Sequence, residues 1–154
     1  MKVLFLDIDG VMNNARFNDY WCRMFNRGVS DCIDPMCVRE LNRIIDATGC
    51  KVVISSSWRL WISSVDTFNI VLGTHGFVGE VVGLTPCRNV TAPGDTHRAR
   101  EIRQYILDHP EVNYYVVLDD DTEPVENFIK VDNGVGLSPK DADKAIRMLG
   151  GVMP

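Results

Sequence analysis

Short apolar bursts alternate along the chain with stretches in which apolar residues recur every three or four positions. Lys2–Leu6 is the first burst and stops at Asp7. Pro35–Thr48 places Val38, Leu41, Ile44 and Ile45 at helical spacing. Asp34 is its expected N-cap, Pro35 suits the first helical position, and Gly49 suits the stop. Lys51–Ile54 is a second buried strand, ended by three serines. Ser64–Leu72 predicts a helix from Val65, Phe68 and Leu72, and Glu80–Leu84 a weak strand. Asp95–Asp108 predicts a helix capped by Asp95, with Ile102, Tyr105 and Ile106 on one face and Pro110 closing it. Tyr114–Leu118 is another apolar run, halted by Asp119-Asp120-Asp121, and Phe128–Val131 is a short strand. Ser138-Pro139-Lys140-Asp141 carries a capping-box signature and opens a last helix that runs to Leu149.

Strands that are apolar throughout, separated by helices, argue for a parallel sheet covered on both faces, an α/β fold. In such sheets chemistry gathers at the carboxyl ends of the strands. Here three strands end abruptly in polar residues: Asp7-Ile8-Asp9-Gly10, Ser55-Ser56-Ser57 and Asp119-Asp120-Asp121.

Composition narrows the field. The 154 residues suffice for one domain, 1–154, and contain no repeat, low-complexity stretch or linker. Sixteen Lys and Arg against 21 Asp and Glu leave a net charge of −5, which lacks the global footprint of a nucleic-acid binder but leaves room for a local basic patch. No apolar run approaches a membrane span, and the first is too short for a signal peptide. Five cysteines without C-x-x-C spacing suggest free thiols in a reducing cytoplasm. His75, His97 and His109 are not spaced as a zinc site.

If the two acidic strand ends are neighbours, their carboxylates converge and repel. A hard divalent cation with oxygen ligands relieves this, and Mg²⁺ is the usual one. In extended chain, residues i and i+2 point to the same side, so Asp7 and Asp9 can face one cleft. One can serve as nucleophile and the other as general acid and then base. Gly10 lets the chain turn away. An EF-hand calcium loop is the alternative for D-x-D-G, but Val11-Met12 follow and Asn18 stands where the terminal Glu belongs.

Val3-Leu4-Phe5-Leu6-Asp7-Ile8-Asp9-Gly10-Val11 resembles the first motif of the haloacid dehalogenase-like (HAD) phosphohydrolases. Val52-Val53-Ile54-Ser55 is similar to their second motif, Arg98 or Arg100 to the third, and Val116-Val117-Leu118-Asp119-Asp120 to the fourth. A closer resemblance is to the small capless HAD domains of RNA-repair proteins. It rests on Ser55-Ser56-Ser57-Trp58-Arg59, Arg98-x-x-Glu101-Ile102, Leu118-Asp119-Asp120-Asp121, Lys130-Val131-Asp132 and Gly136-Leu137-Ser138.

The resemblance implies a Rossmann-like three-layer sandwich with five parallel strands in the order 3-2-1-4-5. It also implies an Mg²⁺-dependent phosphatase. Asp7 would be the nucleophile and form an aspartyl phosphate, and Asp9 the general acid and base. Ser55 would hold a phosphoryl oxygen, and Arg98 or Arg100 would neutralise charge. Mg²⁺ would be bound by Asp7, the Asp9 carbonyl and Asp120 or Asp119, the alignment favouring Asp120. Gly10, Ser56, Arg59 and Arg100 are expected at the substrate.

The gaps from Gly10 to Pro35 and from Ser57 to Asp95 are too short for a cap domain of roughly 50 residues. The cleft should be open, or covered only by a lid-like loop at about 11–34. Arg16, Phe17, Tyr20, Trp21, Arg23, Phe25 and Arg27 lie in that loop and could stack a base and hold a backbone. The alternative is that Phe17, Trp21 and Phe25, at helical spacing, pack a short helix onto the body. Trp58 suits a substrate contact, Trp61 suits the core, and His97 suits a solvated helix end. The first expected substrate is a nucleic-acid terminal phosphate or a nucleotide, and the second a small metabolite or phosphoprotein. A non-catalytic binding module is the reading from another class, but the intact set of Asp7, Asp9, Ser55 and Asp120 speaks against it. Neither a membrane partner nor an oligomeric state is implied.

Overall fold

A computed structural model describes residues 1–18, 32–87 and 96–151. The strands are β1 (Lys2–Leu6), β2 (Lys51–Ile54), β3 (Val81–Leu84), β4 (Tyr114–Asp119) and β5 (Phe128–Lys130). They form one sheet in the order β3-β2-β1-β4-β5, and every neighbouring pair is parallel. Besides a three-residue helix at Ala15–Phe17, the helices are α1 (Pro35–Thr48), α2 (Val65–Thr74), α3 (His97–Asp108) and α4 (Pro139–Met148). The stretches 19–31 and 88–95 are far shorter than a domain of roughly 50 residues, so the fold carries no large cap.

The strands are apolar throughout because both faces are covered. Leu4, Leu6, Val52, Ile54, Val116 and Leu118 point to one face, where α1, α2 and α4 pack through residues such as Leu41, Phe68 and Ile146. Val3, Phe5, Val53 and Val117 point to the other, against Ile102 and Tyr105 of α3. The Phe5 and Tyr105 rings meet edge-on with centroids 5.6 Å apart. The result is three layers, as the apolar strand pattern implied.

Helix ends follow the local code. Asp34 caps α1 through the Met36 N–H, Pro35 stands in the first turn, and Gly49 closes it with φ 65°. Ser138 and Asp141 form the expected capping box. The cap of α3 is Thr96, accepting from the Ala99 N–H, in place of the expected Asp95, which lies outside the described residues.

Two expectations are corrected. Trp61 is 80% exposed because it lies just past the short 3₁₀ turn Ser57–Leu60, where the chain leaves the core. Cys37, Cys50 and Cys87 are free thiols, but Cys32 is disulfide-bonded. Sulfur pairing depends on closeness in the fold, which chain spacing does not encode. The expected lid loop is described only at its ends, where Val11, Met12, Cys32 and Ile33 are buried. Its Tyr20, Trp21, Arg23, Phe25 and Arg27 lie outside the described residues. Among the described residues, no helix is long and apolar enough to cross a membrane.

Candidate active site

Register places the polar strand ends side by side. Leu6 of β1 is level with Ile54 of β2 and Leu118 of β4. The ladder continues one residue further: the Asp7 N–H donates to the Leu118 carbonyl (3.0 Å), and the Ser55 N–H to the Leu6 carbonyl (2.9 Å). Asp7, Ser55 and Asp119 therefore emerge in a row at the carboxyl edge of the sheet.

Carboxyl oxygens of Asp7, Asp119 and Asp120 lie within 4.8 Å of one another. Arg98, in the first turn of α3, reaches into this cluster. Its Nη1 donates to Asp119 Oδ2 at 2.8 Å and pairs with Asp7 Oδ1 at 3.1 Å. Arg100 is half-buried, and its Nε donates to the Thr96 carbonyl (3.5 Å). Two positions along a helix turn a side chain by about 200°, so only one of the pair can face the cluster. The Asp7 Oδ1 atom also accepts from the Ile8 N–H (2.8 Å), and Asp119 Oδ1 from the Asp121 N–H (2.9 Å).

One guanidinium does not balance three carboxylates. Burial raises the Asp7 pKa, against the lowering pull of Arg98 and of a hydrogen bond from Ser56. Burial pushes Asp119 up to about 7, with Arg98 opposing and the Asp7 charge adding to the rise. Burial and then the Asp7 charge also raise Asp120. Burial works against the charge of Arg98, but Asp7 and Asp119 outweigh it and hold its pKa above the ordinary value. Three close, partly desolvated oxygen donors short of positive charge fit a small hard cation such as Mg²⁺.

Ser55 is fully buried, and its Oγ has no hydrogen-bond partner among the described residues. A buried hydroxyl rarely stays unpaired. Ser56 is also buried; its Oγ accepts from the Trp58 N–H (3.3 Å) and caps the 3₁₀ turn. Gly10 has φ 75°, and a Cβ there would lie 2.3 Å from Asp120 Oδ2. The backbone must pass bare against that carboxylate.

Asp9 is exposed, unlike Asp7. Its Oδ1 accepts from Asn13 Nδ2 (2.7 Å) and from the indole Nε1 of Trp58 (2.9 Å). Trp58 is only 4% exposed, so it is a neighbour of Asp9 rather than an open substrate platform. Arg59, expected at the substrate, is turned inward. It pairs with buried Glu101 of α3 and donates to the Ser56 carbonyl. A guanidinium carried into a poorly solvated place needs a carboxylate there, and Glu101 supplies it. His97 is exposed at the start of α3.

Three contributors escaped sequence reasoning, Asn13, Thr96 and Glu123, while Glu101 stood in the Arg98-x-x-Glu101-Ile102 run without an assigned role. The Thr96 hydroxyl donates to Glu123, which is buried beside Arg98. A Glu four residues beyond the start of an acidic triplet was the signal available for Glu123.

This combination of a five-stranded parallel sheet with acidic ends on β1 and β4 is that of a HAD-type, phosphohydrolase-like domain. Over residues 3–142 the chain matches the family described as the HAD domain in Swiss Army Knife RNA repair proteins, and it belongs to that family. No curated protein and no solved structure matches the chain.

Proposed function

We propose that this chain is an Mg²⁺-dependent phosphomonoesterase working through an aspartyl phosphate on Asp7, with nucleic-acid terminal phosphates or nucleotides as its substrates. The observation that carries the reading is the joint position of Asp7, Arg98, Asp119 and Asp120, with Asp9 exposed two residues on from Asp7. Asp7, the Asp9 carbonyl, Asp120 and Asp119 would hold the cation. When bound, it offsets charge on the phosphoryl oxygens.

The Asp7 carboxylate attacks phosphorus as the bond to the leaving oxygen breaks, and Asp9 gives that oxygen its proton. Asp9 then takes a proton from water as the water attacks phosphorus. The bond between phosphorus and the Asp7 oxygen breaks, and inorganic phosphate leaves. Arg98 neutralises charge on Asp7 and the phosphoryl group, and Ser55 donates its hydroxyl to a phosphoryl oxygen. Positioning and charge neutralisation carry most of such catalysis.

The RNA-repair description of the family and the absence of a large cap support a phosphate presented on a long chain. A small phosphorylated metabolite is the second reading. It is favoured by the inward turn of Arg59, which removes one expected cation from the substrate side. The test is hydrolysis of a panel: 3′- and 5′-phosphorylated oligonucleotides, nucleotides and sugar phosphates, with Mg²⁺ and with chelator. Preference for an oligonucleotide end supports the first reading. Preference for a small phosphate supports the second, and no Mg²⁺-dependent turnover on any of them overturns both.

A further inference from the structure

We propose that Trp58 is a positioning residue that fixes which oxygen of Asp9 carries the transferred proton; this rests on the reading of Asp9 as general acid and base. An exposed aspartate is ordinarily free to change rotamer. Asp9 is held from two sides, by Asn13 in the segment after β1 and by Trp58 in the turn after β2. The Asn13 amide cannot be reversed without loss, because its Oδ1 accepts from the Gly10 N–H (3.0 Å). Its NH₂ group therefore faces Asp9. Trp58 is fixed in turn by its burial and by the turn, where its carbonyl accepts from the Trp61 N–H (3.0 Å) and the Ile62 N–H (2.9 Å).

Both groups on Oδ1 are donors only: an indole N–H and an amide NH₂ cannot accept a hydrogen bond from an acid proton. A proton placed on Oδ1 would oppose both. It must therefore sit on Oδ2, whose one neighbour among the described hydrogen bonds is the Ser57 hydroxyl at the long distance of 3.5 Å. Oδ2 is thus the oxygen left for the leaving group and then for water. Catalytic groups tolerate displacement of only about 0.5 Å. The indole supplies this constraint from within the core fold.

The test replaces Trp58→Phe, which keeps an aromatic ring in the core and removes the N–H donor together with part of the indole's volume; a packing loss alone falls on both esters alike. Single-turnover rates are measured with Mg²⁺ for an alkyl phosphate, which needs its leaving oxygen protonated, and for nitrophenyl phosphate, which needs this far less. The expected result is a loss of about tenfold or more for the alkyl ester, about twofold or less for the nitrophenyl ester, and an unchanged KM. An equal loss on both esters, or none on either, overturns the proposal and leaves Trp58 as packing alone.

A second measurement needs no change at Trp58. In ¹⁵N-labelled protein, Asp9→Asn should move the Trp58 indole N–H resonance and leave that of exposed Trp61 in place. An unmoved Trp58 resonance removes the contact on which the proposal stands. A wild-type chain that turns over neither ester in Mg²⁺, yet shows the indole shift, fails the phosphatase reading and takes the proton-transfer role with it. Wild-type turnover without the leaving-group difference fails the Trp58 role alone.

Discussion

At the scale of the residue, the site is a set of crowded carboxylates that repel one another. Asp7→Asn should abolish hydrolysis while the melting temperature holds or rises, because it removes the proposed nucleophile and one of three crowded charges. Activity assay and thermal denaturation check both halves. Gly10→Ala should weaken Mg²⁺ binding about tenfold or more, since the new methyl would collide with the Asp120 carboxylate at a backbone φ that suits glycine. Isothermal titration with Mg²⁺ reads this directly.

The raised pKa of Asp119 carries a sign that can be checked. Its carboxyl is at about 7 in the folded, metal-free chain, above its ordinary value of 3.8. The folded state therefore holds the proton more tightly, and the stability this confers is full below pH 3.8 and lost as pH rises to about 7. The loss is at most roughly 4 kcal/mol. Mg²⁺ needs the ionised carboxylates, so the melting-temperature rise it causes should be larger at about pH 8 than at about pH 5. Equal rises at both values would contradict the assignment of these three aspartates as ligands.

At the scale of the element, the 3₁₀ turn Ser57–Leu60 and helix α3 are joined by the Arg59–Glu101 pair, whose side chains are 7% and 6% exposed. This pair ties the strand end bearing Ser55 to the helix bearing Arg98. Arg59→Ala alone should cost about 3–5 kcal/mol, because Glu101 is left buried without its partner. The double change Arg59→Met with Glu101→Leu should recover most of that. Urea denaturation of the three proteins measures it, and additive losses would show that the two residues do not act as a pair. Elements were largely legible beforehand, since caps and stops are local: Asp34, Pro35, Gly49 and the Ser138–Asp141 box all stand where their residue types suggest. The carboxylate cluster was legible too, once parallel strands put β1 and β4 side by side. What chain spacing could not reveal was which way neighbours in a tight turn face. Trp58 and Trp61 share one short turn, yet one is buried on Asp9 and the other is in solvent. Arg59 pairs with Glu101, far along the chain, a contact that spacing does not show. Which of Arg98 and Arg100 reaches the carboxylates likewise depended on the direction of α3, and it is Arg98 that contacts Asp7 and Asp119.

At the scale of the whole molecule, a net charge of −5 opposes approach of a polyanion, and several cations are already committed internally. Arg98 is held by Asp7 and Asp119, Arg59 by Glu101, and Arg43 by Glu40 and Asp143. Arg16 is exposed, and so is Lys130, which is level with Asp119 at the carboxyl edge of the sheet. Arg23 and Arg27 lie outside the described residues. A nucleic-acid substrate must then be captured by this local set, so binding should show a shallow but measurable salt dependence. Each phosphate contact removed by Arg→Ala or Lys→Ala should reduce the slope on a double-logarithmic plot by about one unit. A small metabolite has no phosphate chain to grip. It should leave these four positions without effect and depend on Arg98 for its affinity. The measurement is KM for a phosphorylated oligonucleotide across a salt series, in wild type and in a variant neutralised at Arg16, Arg23, Arg27 and Lys130. Loss of slope with kcat retained shows that these cations grip the strand of the substrate. An unchanged slope, with oligonucleotide dephosphorylation intact, would remove the nucleic-acid reading and leave the small phosphate ester as the substrate.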